Sequence, residues 1–106
     1  MENEQLDKDA LHNIKLIAES ISLLNEQAYA LYLPMVEELI HSNSKDEHQI
    51  EFLLDGIIEI ACTKKGLILY KKLCRYYWDI NQEATADYIN YYRERWDSES
   101  LNEENN

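Results

Sequence analysis

Residues that turn or cross-link a chain are scarce in this sequence. Its 106 residues include two glycines, one proline and two cysteines. Sheet-rich folds need many tight turns, which glycine and proline supply, so this scarcity favours helices over strands. Cys62 and Cys74 both lie in apolar patterns, and we expect two reduced core thiols rather than a disulfide.

Features of export, membrane insertion and catalysis are also missing. No apolar run approaches the ~20 residues that span a bilayer, and the acidic first ten residues do not resemble a signal peptide. We therefore predict a cytoplasmic protein. The sequence contains no glycine-rich phosphate loop, nucleophile motif or convincing metal-ligand spacing, so we expect no enzymatic activity, no cofactor and no metal.

Positive charge is scarce and unevenly placed. The chain has 10 Lys and Arg against 21 Asp and Glu, a net charge of −11. This balance argues against nucleic acid or an anionic membrane as the main partner. The segment 64–75 nevertheless holds no acid. Its cations fall within about 120° of one predicted helix, and they are Lys64, Lys65, Lys71, Lys72 and Arg75. This basic stripe is either a solvated face attracted to the acidic helices around it or a docking surface for an acidic protein segment or a nucleic-acid phosphate.

Aromatic residues are concentrated in the last two predicted helices. Tyr88 and Trp96 lie on one stripe with Tyr92, and we predict that this stripe is core. Tyr76 and Tyr91 fall on polar sides, so we expect them to remain partly exposed. Tyr, Trp and Arg are enriched in interface hot spots, which makes the region around Tyr76, Tyr91 and Arg95 a candidate partner-binding surface.

Two apolar stripes run along the first predicted helix. The main stripe has helical spacing and comprises Leu6, Ala10, Ile14, Ile17, Ile21, Leu24, Ala28 and Leu31. A second stripe, formed by Leu16, Leu23 and Ala30, lies roughly 130° away. We favour one wide core-facing surface; the alternative is a homodimer seam. Either one helix runs from about residue 6 to 33 or Asn25 caps a new one, and Pro34 must end, kink or restart the helix.

Capping residues divide the rest of the chain into helices. Ser44 and Glu47 form a predicted capping box, and Asn81 is a predicted N-cap for the last helix. The start of the basic helix is set by either Thr63 as N-cap or Gly66 as a C-terminal stop. These signals predict an all-α fold, a compact antiparallel bundle of four or five helices. We expect one domain over residues 1–97 and a disordered acidic tail over 98–106.

The segment LYKKLCRYYWDINQEATADYINYYRERWD, residues 69–97, resembles part of small uncharacterised helical proteins encoded on mobile elements of Firmicutes. The resemblance covers about a quarter of the chain. It implies a bacterial cytoplasm and a role for mobile-element genes, such as regulation or inhibition of host defence. It implies no activity and no functional residue.

These observations predict a non-enzymatic protein that acts through protein–protein contacts. One alternative is an acidic DNA mimic, in which the carboxylates of residues 1–63 occupy a nucleic-acid-binding protein. Another is a helix-turn-helix regulator within residues 56–75, with Lys64 and Lys65 in the first turn of the recognition helix.

Overall fold

The computed structural model describes residues 2–97, with the side chains of 8–97. Four α-helices and one short 3₁₀ helix account for almost all of this range, and no strand occurs within it. The helices are α1 (Glu2–His41), α2 (Glu47–Ile57), the 3₁₀ turn (Ile58–Ile60), α3 (Lys64–Trp78) and α4 (Gln82–Trp96). The predicted all-α class is therefore confirmed. The predicted tail, 98–106, lies outside the described residues.

The helix ends follow from local hydrogen bonding. Thr63 is the N-cap of α3, because its hydroxyl accepts from the backbone N–H of Gly66 at 3.0 Å. Asn81 caps α4 in the same way, as predicted. The predicted capping box at Ser44 is wrong. The N-cap of α2 is Asp46, whose carboxylate accepts a hydrogen bond from the backbone N–H of Gln49 at 3.3 Å. This bond satisfies one of the N–H groups that have no partner within the first turn of the helix.

The end of α1 is a Schellman turn. Asn43 adopts a φ of 55°, which asparagine tolerates better than most residues. Its N–H donates to the Ile40 carbonyl, and the Ser44 N–H donates to the Leu39 carbonyl. The helix passes without interruption through Pro34. Because proline has no backbone N–H, the carbonyl oxygen of Ala30 lacks its usual helical hydrogen bond from position 34. Both Pro34 and Ala30 are exposed, so water can supply the missing hydrogen bond.

The core lies where α2, α3 and the last third of α1 meet. Its fully buried residues include Val36 of α1, Leu53 and Leu54 of α2, and Leu73 and Tyr77 of α3. The inward face predicted for α2 is confirmed at residues 50, 53, 54 and 57. Helix α3 is central, because it contacts α1, α2 and α4. Gly66 is buried against the 3₁₀ turn, where a Cβ would overlap the Ile60 carbonyl oxygen.

The first part of α1 leaves the core and projects away from it. Every side chain from residue 8 to residue 24 is exposed. We call residues 8–24 the free arm, and residues 28–41, which pack on α2 and α3, the packed end. The interpretation of the main stripe as core-facing is wrong for the free arm, because its members from Ile14 to Leu24 are more than half exposed. The structure is 62 Å long, close to the ~60 Å expected of a 40-residue helix.

None of the described helices is both long enough and apolar enough to cross a membrane. The two cysteines are free and differ in their surroundings. Cys74 is buried as predicted, and burial raises the pKa of its thiol to about 12. The prediction that Cys62 is a core thiol is wrong, since it lies exposed at the turn before α3.

Candidate protein-interaction surfaces

A row of carboxylates on α2 holds the fold together on one side. Glu47, Glu51, Asp55 and Glu59 follow each other at intervals of four residues, so they lie on one face of α2 and its 3₁₀ extension. Glu47 accepts hydrogen bonds from Asn81 Nδ2 at 2.7 Å and the Tyr77 hydroxyl at 3.0 Å. Much of the negative charge of α2 is therefore bonded within the protein.

Two tyrosine hydroxyls donate to the middle of this row. The Tyr77 hydroxyl also donates to Glu51, and the Tyr88 hydroxyl donates to Asp55 at 3.0 Å. Burial, followed by the bonded carboxylates, raises the pKa of both phenols well above the usual range. The hydrogen bond from Asn81, followed by that from Tyr77, lowers the pKa of Glu47. Both phenols therefore remain protonated donors, and Glu47 is ionised at neutral pH.

Arg95 and Trp96 fasten the end of α4 to the same side. Arg95 forms an ion pair with Glu59 at 2.6 Å, and its guanidinium lies 4.9 Å from the centre of the Trp96 ring. The Trp96 indole N–H donates to the Ile58 carbonyl at 2.7 Å. Arg95, a predicted partner-binding residue, thus forms intramolecular contacts with Glu59 and Trp96.

An open apolar groove lies between α3 and α4. The cavity has a volume of about 410 Å³. Its apolar lining includes Leu67 and Trp78 of α3 and Ile89 and Tyr92 of α4. Trp78 and Ile89 remain 43% and 42% exposed, so large apolar side chains are accessible to a partner there. A second depression of about 360 Å³ shares Leu67 and Tyr92 with the first. We call the two together the α3–α4 groove.

Cations line this groove and carboxylates do not. Lys71 and Arg75 lie in its main section, and Lys64 lies in the second. Neither section contains an Asp or Glu among its lining residues. Within residues 8–97, no carboxylate lies at ion-pair distance from any member of the basic stripe. The interpretation of the stripe as a clamp on acidic neighbouring helices is therefore not supported by any described contact.

The other predicted site residues lie apart from the groove. The Lys65 ammonium lies 5.8 Å from the centre of the Tyr29 ring of α1. Lys72 is exposed and does not line the groove. The Tyr76 hydroxyl donates to the Ser44 carbonyl at 2.6 Å, which ties α3 to the loop before α2. Tyr91 is 49% exposed, and its ring forms a T-shaped contact with that of Tyr88, with 5.4 Å between the ring centres.

The sequence reasoning missed the α4 wall of the groove. Thr85, Ile89, Tyr92 and Trp96 are spaced as one helical stripe, which was indistinguishable from a core stripe. In the structure Thr85 and Tyr88 are buried, Tyr92 is half-buried and Trp96 is 38% exposed. The sequence offered one signal for the groove. Helix α4 carries more apolar residues than its packing against α3 can bury.

No group of three His, Cys, Asp or Glu side chains within the described residues is arranged to hold a metal ion. Comparisons with protein-family models, with curated proteins and with solved structures give no match to this chain. The resemblance of residues 69–97 to mobile-element proteins stays a prediction, and the groove must be interpreted from its own chemistry.

Proposed function

We propose that this chain is a non-enzymatic interaction protein whose α3–α4 groove binds an acidic amphipathic helix of a partner protein. One observation supports this most strongly. A protein of net charge −11 presents an apolar groove whose charged lining residues are all cations. Apolar anchors and a cationic rim together fit a partner with an apolar stripe flanked by carboxylates.

The dimensions of the groove suit a short helix. From Leu67 to Trp78 the α3 wall extends about 16 Å, which corresponds to roughly three turns of a helix. A docked helix of that length presents apolar anchors at i, i+4 and i+7. Lys71 and Arg75 are one turn apart on the wall, so they match carboxylates spaced one turn apart on the partner.

The proposal includes the finer architecture expected from the sequence, an antiparallel bundle. Short connections favour antiparallel neighbours, and α3 and α4 are joined by residues 79–81 alone. The contacts of α3 with the three other helices support it further. A cytoplasmic location and a regulatory role in mobile-element biology remain predictions from the sequence.

A labelled model peptide tests the groove directly. The probe is a 16-residue amphipathic peptide with leucines at i, i+4 and i+7 and glutamates beside them, and its match carries lysines in place of the glutamates. We expect the acidic peptide to bind and the Lys71→Glu/Arg75→Glu variant to bind it at least tenfold more weakly, about 1.4 kcal/mol. The control, Lys45→Glu/Lys72→Glu, makes the same charge change outside the groove and should stay within twofold.

Fluorescence anisotropy gives the affinities, and circular dichroism shows that each variant keeps its helicity. Equal binding of the acidic and basic peptides would contradict the proposal, as would an unchanged affinity in the groove variant. Binding of a labelled DNA duplex is measured as well, at low salt. Duplex binding that Lys64→Glu/Lys65→Glu abolishes would favour the helix-turn-helix alternative instead.

A further inference from the structure

The apolar seam of α1 has the spacing of a coiled coil. Its members alternate steps of three and four residues and are Ile14, Ile17, Ile21, Leu24, Ala28, Leu31 and Met35. In heptad terms Ile14 and Ile21 occupy a positions, and Ile17 and Leu24 occupy d positions. These four side chains are 61%, 53%, 59% and 62% exposed, respectively. The seam also continues beyond the free arm, where Leu31 is 63% exposed.

The core of the protein accounts for only one member of this seam, Ala28, which is half-buried against it. In the packed end, the core-facing residues of α1 include Val36, Leu39 and Ile40, roughly a third of a turn from the seam. Two heptads earlier, the same face of α1 carries Ser22, Asn25 and Glu26. The core face is thus apolar only where a core exists, whereas the seam is apolar along both parts. A separate contact must cover the seam.

The residues beside the seam fit a second copy of this chain. The flanking e and g positions are uncharged over two heptads, namely Asn13, Ala18, Ser20, Asn25 and Gln27. No like charges therefore face each other when two identical arms meet, and no charge pattern selects a different chain. The charged residues of this stretch, Lys15, Glu19 and Glu26, lie on the opposite side.

A lipid surface fits the free arm poorly. Helices that lie on membranes carry an excess of Lys and Arg on the polar face. Residues 8–31 contain two lysines against three carboxylates, those of Asp9, Glu19 and Glu26. The apolar area suits a protein contact, since the seam and its flanks would bury on the order of 1,000 Å² in a pair, where stable interfaces begin.

We propose that two copies of this protein pair through α1 as a parallel coiled coil, with the seam of residues 14–35 as the interface. Isoleucine at a with leucine at d, as in Ile21 and Leu24, favours two parallel strands, although Ile17 at the preceding d position departs from this pattern. The pairing surface is distinct from the α3–α4 groove, so it stands or falls independently of the proposed function.

Mass in solution tests the pairing with a matched pair of variants. The 12.6 kDa chain should sediment as a species of about 25 kDa at tens of micromolar. Ile17→Asp/Leu24→Asp charges the seam and should give the single-chain mass. Leu16→Asp/Leu23→Asp makes the same change one residue away, at positions about 48% and 55% exposed on the second stripe, and should keep the pair.

Three outcomes would overturn the proposal. They are a single-chain mass for the unaltered protein, a pair that survives the seam substitutions, and loss of the pair in both variants. Tryptophan fluorescence verifies the fold throughout, because Trp78 and Trp96 lie far from the free arm in sequence and within the folded part. Lys71→Glu/Arg75→Glu should leave the mass of the pair unchanged, which separates this test from that of the groove.

Orientation has its own test. In a parallel pair, each d residue meets its own counterpart, so Leu24→Cys in a Cys62→Ser background should form a disulfide-linked dimer under mild oxidation. The buried thiol of Cys74 should not react. The cross-linked band on a non-reducing gel should include more than half of the chain. Absence of that band in a sample that sediments as a pair would overturn the parallel arrangement.

Discussion

The two parts of α1 share one helix and differ in what covers them. In the packed end, Val36 and Leu39 are almost fully buried against α2 and α3. In the free arm, Ile17 and Leu24 are more than half exposed. Apolar residues recur at helical spacing in both parts. Periodicity therefore identifies the faces of a helix, and only the tertiary structure shows which of them the chain covers itself.

The two parts of α1 also differ in what keeps them helical. Most helical stability in proteins comes from the packing of an apolar face rather than from intrinsic propensity. The packed end has such packing within the chain. For the free arm, the proposed pairing with a second copy would supply it.

The largest expected difference between the two parts comes from the same substitution made once in each. Leu39→Ala removes a buried side chain and should lower the free energy of unfolding by about 2–5 kcal/mol. Leu24→Ala, at a position 62% exposed, should change that of the single chain by less than about 0.5 kcal/mol. Urea unfolding followed by tryptophan fluorescence gives both values.

Protein concentration sharpens this prediction. The cost of Leu39→Ala should be the same at every concentration, because it arises within one chain. The cost of Leu24→Ala should grow as concentration rises, because the seam contributes only where two copies meet. A cost for Leu24→Ala equal to that of Leu39→Ala at low concentration would show that the chain itself covers the free arm.

Much of the fold was predictable because it depends on local signals. The inward face of α2 follows from residues 50, 53, 54 and 57, and the cap Asn81 follows from a side chain that bonds the next turn. Thr63 was one of two alternatives for the start of α3, and the structure shows that it is the cap. The continuity of α1 was harder to predict, since a proline usually breaks or kinks a helix. Helix α1 accommodates Pro34 because Pro34 and Ala30 are both exposed to solvent, which the sequence does not reveal.

The candidate surface was only half predictable. The cations Lys71 and Arg75 were visible in the sequence as one face of α3. The apolar wall opposite them was not, because Ile89 and Tyr92 sit at core spacing and their exposure depends on how α4 packs. Tyr76 and Arg95 were predicted as contact residues, yet hydrogen bonds across 32 and 36 positions of the chain engage them internally.

A smaller difference should follow from one substitution to alanine in each region. Gly66→Ala places a Cβ onto the Ile60 carbonyl, which belongs to the backbone and cannot move aside easily. We expect a loss of about 1–3 kcal/mol in thermal or urea unfolding. Its control in the free arm, Ser22→Ala, alters an exposed position and should stay within about 0.5 kcal/mol. A neutral Gly66→Ala would show that the contact between α3 and the 3₁₀ turn is loose.

The smallest expected effect is on pH dependence, and it concerns the folded part alone. Hydrogen bonds from Asn81 and Tyr77 lower the pKa of Glu47 in the folded state. Its contribution to stability is therefore complete above the unfolded pKa near 4.5 and is lost as pH falls through the lower folded value. Glu47→Gln should accordingly flatten the fall in the free energy of unfolding below about pH 5.

Tryptophan fluorescence measures this loss in the folded part, since the free arm contains no aromatic residue. The matched control is Glu37→Gln, which removes one exposed carboxylate from α1. It should leave the acid limb of the stability curve parallel to that of the unaltered protein. If Glu37→Gln and Glu47→Gln flatten it equally, general charge repulsion rather than the α2 carboxylate row governs the acid response. The hydrogen-bonded carboxylates of α2 and the exposed carboxylate of α1 would then not differ in their effect on acid stability.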